Sequence, residues 1–453
     1  MHTHSRIVQM SALALGIAGA LAFGQAHASG FQLKENSAKA LGRAFAGSGI
    51  APGDASVVAN NPAAMTRFSG TTVQADVTII DLNAKFNGGG YAGRGTPFAQ
   101  PLTGGDGGEA GDVTPVPALS VIHKFDNGLA VGAMVSAPFG LKTEYDADWV
   151  GRYSAIKSEV KTVDLTLSGA YEIIPDRFSV GVGIVYERGE AELSKAVDFG
   201  TALFANPATR PLPFARPQAR DGKAVVTGDD HGFGWIVGMT FRPTDTLSFG
   251  LSHRSEIDHE LDGKVDWTVP ADVATVFASS PASASLFKDG GATAKLTTPS
   301  VTSLSAMWQV TDTFALMGDY TQTDWHSLRE VRIDFHNPDA DSVEPFNWGD
   351  TRFWSIGAEY KLSDAFTLRG GYAYDETPTT FHTRTPRLPD EDRRWYSLGL
   401  TWNVSDSLEL NAAYTRIQPD KPKVGIIDTQ GHVLFGSYSS DVNLFGLSGQ
   451  YKF

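Results

Sequence analysis

Residues 162–186 read TVDLTLSGAYEIIPDRFSVGVGIVY. Val163, Leu165, Leu167, Tyr171 and Ile173 alternate with Thr162, Asp164, Thr166, Ser168 and Glu172. After Ile174-Pro175-Asp176 the same period returns in Phe178, Val180, Val182, Ile184 and Tyr186. A period of two sends successive side chains to opposite faces of a strand. The stretch is therefore predicted to be two strands joined by a tight turn, each with one apolar and one polar face.

Outward from this pair the period persists. It recurs in Val73, Ala75, Val77 and Ile79; in Phe366, Leu368, Tyr372 and Tyr374; in Tyr396, Leu398, Leu400 and Trp402; and in Leu408, Leu410 and Tyr414. Six connections are short and carry turn residues: Asp126-Asn127-Gly128, Ile174-Pro175-Asp176, Pro243-Thr244-Asp245, Thr311-Asp312, Ser363-Asp364 and Ser405-Asp406. They alternate with seven longer ones, near 84–113, 138–158, 192–229, 258–291, 336–345, 376–392 and 419–439. Six short and seven long connections imply fourteen strands running up and down, with every short turn at one end. A soluble sandwich explains the alternation but not the one-sided loop lengths. Those are the mark of bacterial outer-membrane barrels, where closure leaves no sheet edge facing lipid. The fold class predicted is all-β: a 14-stranded antiparallel transmembrane β-barrel over residues 70–453. In its last strand Phe445, Leu447, Tyr451 and Phe453 share one face, and a terminal Phe resembles the assembly signal of such barrels.

Residues 1–28 read as a secretory signal: Arg6, an apolar run from Met10 to Phe23, then Ala26-His27-Ala28. That run is shorter than the ~20 residues of a membrane-spanning helix. The chain has 453 residues, no Cys and a formal net charge of −14. There is no disulfide or thiolate site and no electrostatic support for nucleic-acid binding. Gly-x-Ser-x-Gly is absent, and His253 and His259 lack helical metal-ligand spacing. No catalytic residue, metal or cofactor is assigned, and the chain is not expected to be an enzyme.

Residues 29–69 fit neither the signal nor the strands. They begin Ser29-Gly30-Phe31-Gln32-Leu33. Leu41-Gly42-Arg43-Ala44-Phe45-Ala46-Gly47, Asp54-Ala55-Ser56 and Asn61-Pro62-Ala63 follow. A helix is expected over 36–46 with Gly47 as its stop, a second from Asp54, and a turn capped by Asn61 with Pro62 at the first position. A ~40-residue piece cannot build its own core, so something must surround it. These four pieces, in this order and spacing, resemble the plug of the FadL family, outer-membrane transporters of long-chain fatty acids and other hydrophobic molecules. Gly232-Phe233-Gly234-Trp235, His253-Arg254-Ser255-Glu256, Asp319-Tyr320-Thr321 and Arg387-Leu388-Pro389-Asp390 extend the resemblance over 29–453.

The resemblance implies external capture, an internal apolar pocket, movement of the plug, and lateral exit through a gap at a third strand kinked inward. Here the third strand breaks at Ala137-Pro138-Phe139-Gly140, where Pro cannot donate to a ladder. Gly30, Asn61, Pro62, Ala63, Pro138, Phe139 and Gly140 are the plug and gating candidates. Phe31 and Leu33 are expected at the pocket, and Phe204, Phe214 and Phe277 either on an outer capture surface or in packing of the two long loops on each other. Arg188 is the candidate for an anionic headgroup, its alternative a lumen salt bridge with Glu187, Glu190 or a loop acid. Trp348-Gly349-Asp350 departs from the family, because Gly349 stands where many relatives are expected to carry a basic residue. Long-chain fatty acids are the substrates expected first, with aromatic or aliphatic hydrocarbons as the alternative. A structural or adhesive surface barrel and an outer-membrane hydrolase are rivals of other classes. The chain is expected as a monomer in contact with outer-membrane lipid and lipopolysaccharide.

Overall fold

A computed structural model describes residues 30–93 and 96–453. The signal assigned to 1–28 lies outside these residues. Among the described residues, nineteen of the twenty-one hydrogen-bonded segments make fourteen wall strands, and the short pieces Gln100–Pro101 and Lys423–Ile427 add to the sheet in the outer loops. They are β1 (Gly70–Ala92), β2 (Val113–Lys124), β3 (Leu129–Ser136, resuming at Gly140–Glu144), β4 (Lys157–Ile174), β5 (Phe178–Asp198) and β6 (Asp221–Phe241). Next come β7 (Leu247–Arg254 and Ile257–Thr268), β8 (Gly290–Thr298 and Val301–Thr311), β9 (Phe314–Thr323 and Glu330–Phe335) and β10 (Ser342–Pro345 and Thr351–Lys361). β11 (Phe366–Asp375), β12 (Arg393–Asn403), β13 (Leu408–Pro419) and β14 (Val433–Lys452) complete the wall. Each pairs antiparallel with its sequence neighbours, and β14 closes on β1 from Thr72↔Lys452 to Tyr91↔Val433. The short turns share one end, and there the Phe453 amide donates to the Thr71 carbonyl at 2.9 Å.

The faces are inverted relative to a soluble protein. On β4 and β5 Leu165, Leu167, Val182 and Ile184 are exposed, while Thr166, Ser168 and Gly183 face inward. Exposed Phe241, Trp308, Tyr360, Trp402 and Tyr451 lie towards the short turns. Trp235, Tyr320, Trp354, Tyr396 and Tyr414 lie about half a strand further out. Aromatic rings at two levels, bracketing an apolar band, match the two interfaces of a bilayer.

Strands run further outward than the alternation of hydrophobicity predicted. β5 and β6 stay paired from Phe178↔Phe241 up to Asp198↔Asp221, through polar residues placed above in a loop. Their ladder needs no apolar face once it has left the lipid, so the amphipathic signal stops before the strand does.

The lumen holds residues 30–68. The expected helix over 36–46 shortens to α1 (Ala38–Leu41), whose N-cap Ser37 accepts from the Ala40 amide. Ala44 (φ 52°) and Phe45 (φ 61°) are left-handed and turn the chain. That conformation costs roughly 1–2 kcal/mol per residue, and here it accompanies burial of Phe45 edge-on against Trp395 at 6.2 Å. α2 (Val57–Asn60) and a 3₁₀ turn (Pro62–Arg67) follow, the latter capped by the Asn61 side chain with Pro62 at its start. The wall makes room with inward glycines. A Cβ on Gly371 would lie 2.2 Å from the Arg43 backbone, and one on Gly399 2.7 Å from the Gly42 Cα.

Candidate ligand site in the barrel lumen

The rear of the plug is tied to the wall by buried charge. Arg43, fully buried, reaches Glu359 on β10 at 3.1 Å and Asp54 at 3.6 Å. Asp54 also accepts from the Ser37 hydroxyl (2.8 Å) and from the Gln74 amide on β1 (3.2 Å). Lys39 pairs with Glu409 on β13, and the Ala38 amide donates to Asp76 at 2.9 Å. Such groups are buried because each has its partner.

The front, residues 30–35, is held differently. Gln32 bridges Phe139 as an added antiparallel pair. The Leu33 amide donates to the Pro138 carbonyl and the Gly140 amide to the Phe31 carbonyl, both at 2.7 Å. The plug thus pairs with β3 exactly where β3 loses its wall partner: β2 and β3 pair from Lys124↔Ala130 only as far as Leu119↔Val135. Beyond that, residues 113–118 of β2 continue their ladder with β1, and contact across the seam includes the Lys142 ammonium on Asp112 (2.6 Å) and the Glu144 amide on the Ala110 carbonyl (3.2 Å). Pro115 and Pro117 lie in this stretch of β2, which suits an edge because proline lacks the donor a neighbour would need. The sequence reading noticed Pro138 but missed this second signal.

Phe31, 3% exposed, sits among Trp325 (4.8 Å), Phe139 (5.8 Å) and Trp348 (5.9 Å). Leu261, Leu296, Val331, Ile333 and Phe335 extend this apolar region outward. Gly30 is left-handed (φ 61°) and a Cβ there would lie 2.6 Å from Trp325. Its amide donates to Asp390 (3.0 Å), which also accepts from Thr377.

Beside the front lies a cavity of about 110 Å³, lined by Gln32, Lys34, Pro138, Phe139, Arg254 and Asp319 among others. Its lining is mixed. Arg254 is held by Glu187 (2.7 Å) and Asp164 (3.1 Å), and its guanidinium lies 5.4 Å from the Phe139 ring. The Glu187 side chain also meets His259 and Thr298. Burial pushes the Glu35 carboxyl up to about 7 and lowers the Lys34 ammonium from its ordinary value.

The remaining expected residues fall as follows. Leu33 joins an apolar cluster with Phe45, Phe353 and Trp395. Asn61, Pro62 and Ala63 are buried but do not sit at the β3 break. The Asn61 side chain donates to the Met239 carbonyl on β6 (3.2 Å), and Pro62 and Ala63 pack on Gly181 of β5. Contact with β3 falls instead to Met65 and Val58, against Gly132. Arg188 is on the outer face: its side chain is 55% exposed and pairs with Glu190 and Asp229. Alternation decides this, because Glu187 takes the inward position. The lumen cation of this region is Arg254, marked in sequence only by the His253-Arg254-Ser255-Glu256 resemblance. Phe204, Phe214 and Phe277 are half-buried in one cluster around Phe199, Leu203 and Val273, so the two long outer loops pack on each other. Asp324, His326 and Asp350 converge within 4.8 Å at interruptions of β9 and β10. The sequence reading did not bring them together, because the convergence depends on two neighbouring strands breaking at one level.

The OMPP1/FadL/TodX family, described as outer membrane protein transport protein, matches residues 19–453. The chain is 30% identical to outer membrane protein P1 of Haemophilus influenzae, covering 97% of this chain and 98% of that one. It is 27% identical to a long-chain fatty acid transport protein of Escherichia coli O6:H1 over the same shares. The crystal structure of a Pseudomonas aeruginosa FadL homologue superposes with a TM-score of 0.86 at 28% identity, covering 93% of this chain and 99% of that one. With a fourteen-stranded barrel around a buried N-terminal segment and a family match over nearly its whole length, the chain belongs to the OMPP1/FadL/TodX outer membrane transport proteins and is a transporter, not an enzyme.

Proposed function

We propose that this protein carries hydrophobic molecules, long-chain fatty acids foremost, passively across the outer membrane. Ligand is captured at the outer loops and passes to the lumen, where residues 30–35 give way. It leaves sideways through the seam between β2 and β3. A water-filled pore serves such ligands poorly, whereas a lateral exit keeps them in apolar surroundings throughout. The observation that carries this reading is the pairing of the plug with the broken strand: Phe31 and Leu33 use the backbone groups of Pro138 and Gly140 beside the interrupted ladder. The cavity next to them, about 110 Å³, is well below the ~300 Å³ at which ligand pockets begin. A long acyl chain therefore needs the front to move. Phe31 already occupies an aromatic cage that an acyl chain could fill in its place.

Gln32 and Phe139 form a pair of the widely spaced, non-hydrogen-bonded kind, whose Cα atoms lie about 4.5 Å apart. That suits a disulfide, and the chain has no other Cys to interfere. In Gln32→Cys/Phe139→Cys, oxidation is expected to stop uptake of labelled oleate and reduction to restore it. Uptake at the same rate in both states would sink the mechanism. Neutral hydrocarbons are the second reading, favoured by Gly349, which places no cation beside Trp348 and has open space around it. Redox-dependent uptake of toluene without oleate would select it.

A further inference from the structure

We infer that Lys34 is the anion-recognising group of the lumen cavity and directs it towards amphiphiles that end in a carboxylate. This rests on reading that cavity as the ligand site.

Two cationic side chains line the cavity, Lys34 and Arg254. Arg254 is already committed to Asp164 and Glu187. Lys34 is not so matched. Among the described residues its ammonium has no carboxylate at ion-pair distance, and it lies 4.3 Å from the centroid of the Phe353 ring. Asp375, Asp319 and Glu35 act on it only at longer range. Asp319, which lines the same cavity, takes its hydrogen bonds elsewhere, from Ser305 (2.5 Å), Thr321 (3.2 Å) and Ser48 (3.3 Å). A half-buried ammonium that faces a cavity and is supported by a ring face retains most of its capacity to bind an anion, and low surrounding polarity strengthens that pairing.

Position gives the charge a second consequence. Lys34 follows Leu33, whose amide is bound to the broken strand at Pro138. The receptor for the headgroup is thus carried by the segment that must move to admit the tail. Gly349 supplies no cation on the wall at the aromatic cage, and Lys34 offers one from the plug.

The test compares oleate with oleyl alcohol, which has the same tail and no charge. Each is titrated into the purified full-length barrel in non-ionic detergent, with folding checked by heat-modifiable mobility. Lys34→Met is expected to weaken oleate binding about tenfold or more, the scale of a lost charge-assisted contact. Binding of the alcohol should stay unchanged, and Lys34→Arg should keep oleate affinity. Unchanged oleate binding in Lys34→Met would overturn the inference, as would equal loss of both ligands or an Arg variant that fails like Met. Wild-type protein that binds neither ligand would instead remove the reading of the cavity as a ligand site, and this inference with it.

Discussion

Residues 30–35 and residues 36–67 share one lumen but are held there by different chemistry. The rear is fastened by ions: Arg43 between Asp54 and Glu359, and Lys39 against Glu409. The front is fastened by an edge pairing and by Phe31 packed among Trp325, Trp348 and Phe139. The difference is one of exchangeability more than strength. A hydrophobic ligand can take the place of Phe31 in an aromatic cage and leave it as well packed as before. It brings nothing that could replace a guanidinium between the buried Asp54 and the half-buried Glu359. A plug that must both seal and yield is served by fixing one part with charge and the other with contacts a ligand can reproduce.

The largest effect is expected at Arg43. Arg43→Met leaves the fully buried Asp54 without its guanidinium, whereas Glu359 keeps Arg369 at 2.7 Å; breaking a buried pair costs about 3–5 kcal/mol. Hydrogen exchange of 36–67 should rise, and hydrophilic dye should enter cells through an otherwise folded barrel. Unchanged protection there would mean that packing, not charge, holds the rear.

Phe31→Ala should cost about 3 kcal/mol, the lower end for emptying an aromatic core site. Loss of protection is expected in 30–35 and not in 36–67. Spread into the rear would merge the two regions into one unit and remove the comparison.

A third effect depends on pH. The carboxyl of Glu35 is raised by burial from 4.5 to about 7, so its neutral form favours the seated front. That contribution is complete below about pH 4.5 and is lost as pH rises through about 7. Front opening, read as exchange corrected for intrinsic rates, should therefore increase between about pH 5 and pH 8. Glu35→Gln should flatten the profile, and a wild-type profile already flat would contradict this account.

The smallest effect is outside the plug. Burial opposes the charge on His432, but hydrogen bonds to Asp198 and Asp428 push it up to about 9. Its stabilisation of the outer loops is full below about pH 6.5 and fades as pH rises through about 9. Loop protection around 198 and 428–432 should decline there while both plug regions stay unchanged. A simultaneous change at 30–35 would show that the loops and the front open together.

Much of this was legible in the chain itself. The alternation around Val163 and Val180, and short turns such as Asp126-Asn127-Gly128, placed the strands and their number. Pro138 marked the break in β3, and Asn61-Pro62 marked a capped turn. The less legible parts have identifiable causes. Helix over 36–46 was overestimated because the left-handed turn at Ala44 and Phe45 answers to wall glycines far along the chain. Arg188 was chosen for the lumen although its neighbour Glu187 faces inward. Near the membrane surface both faces of β5 become polar, and the side-chain pattern no longer tells in from out.

Strand period, turn chemistry and loop asymmetry are local properties, set by how each residue fits a pleated strand between lipid and lumen. The sequence by itself therefore determined a closed, fourteen-stranded barrel with an N-terminal segment in need of a container. Only the tertiary structure decided which charges meet inside it: Arg254 neutralised by Asp164 and Glu187, Arg43 locked to Glu359, and Lys34 left over the Phe353 ring. Those groups come from separate strands and from the plug, and barrel closure alone brings them within a few ångströms. At that range burial and pairing, not residue type, set what each charge can bind.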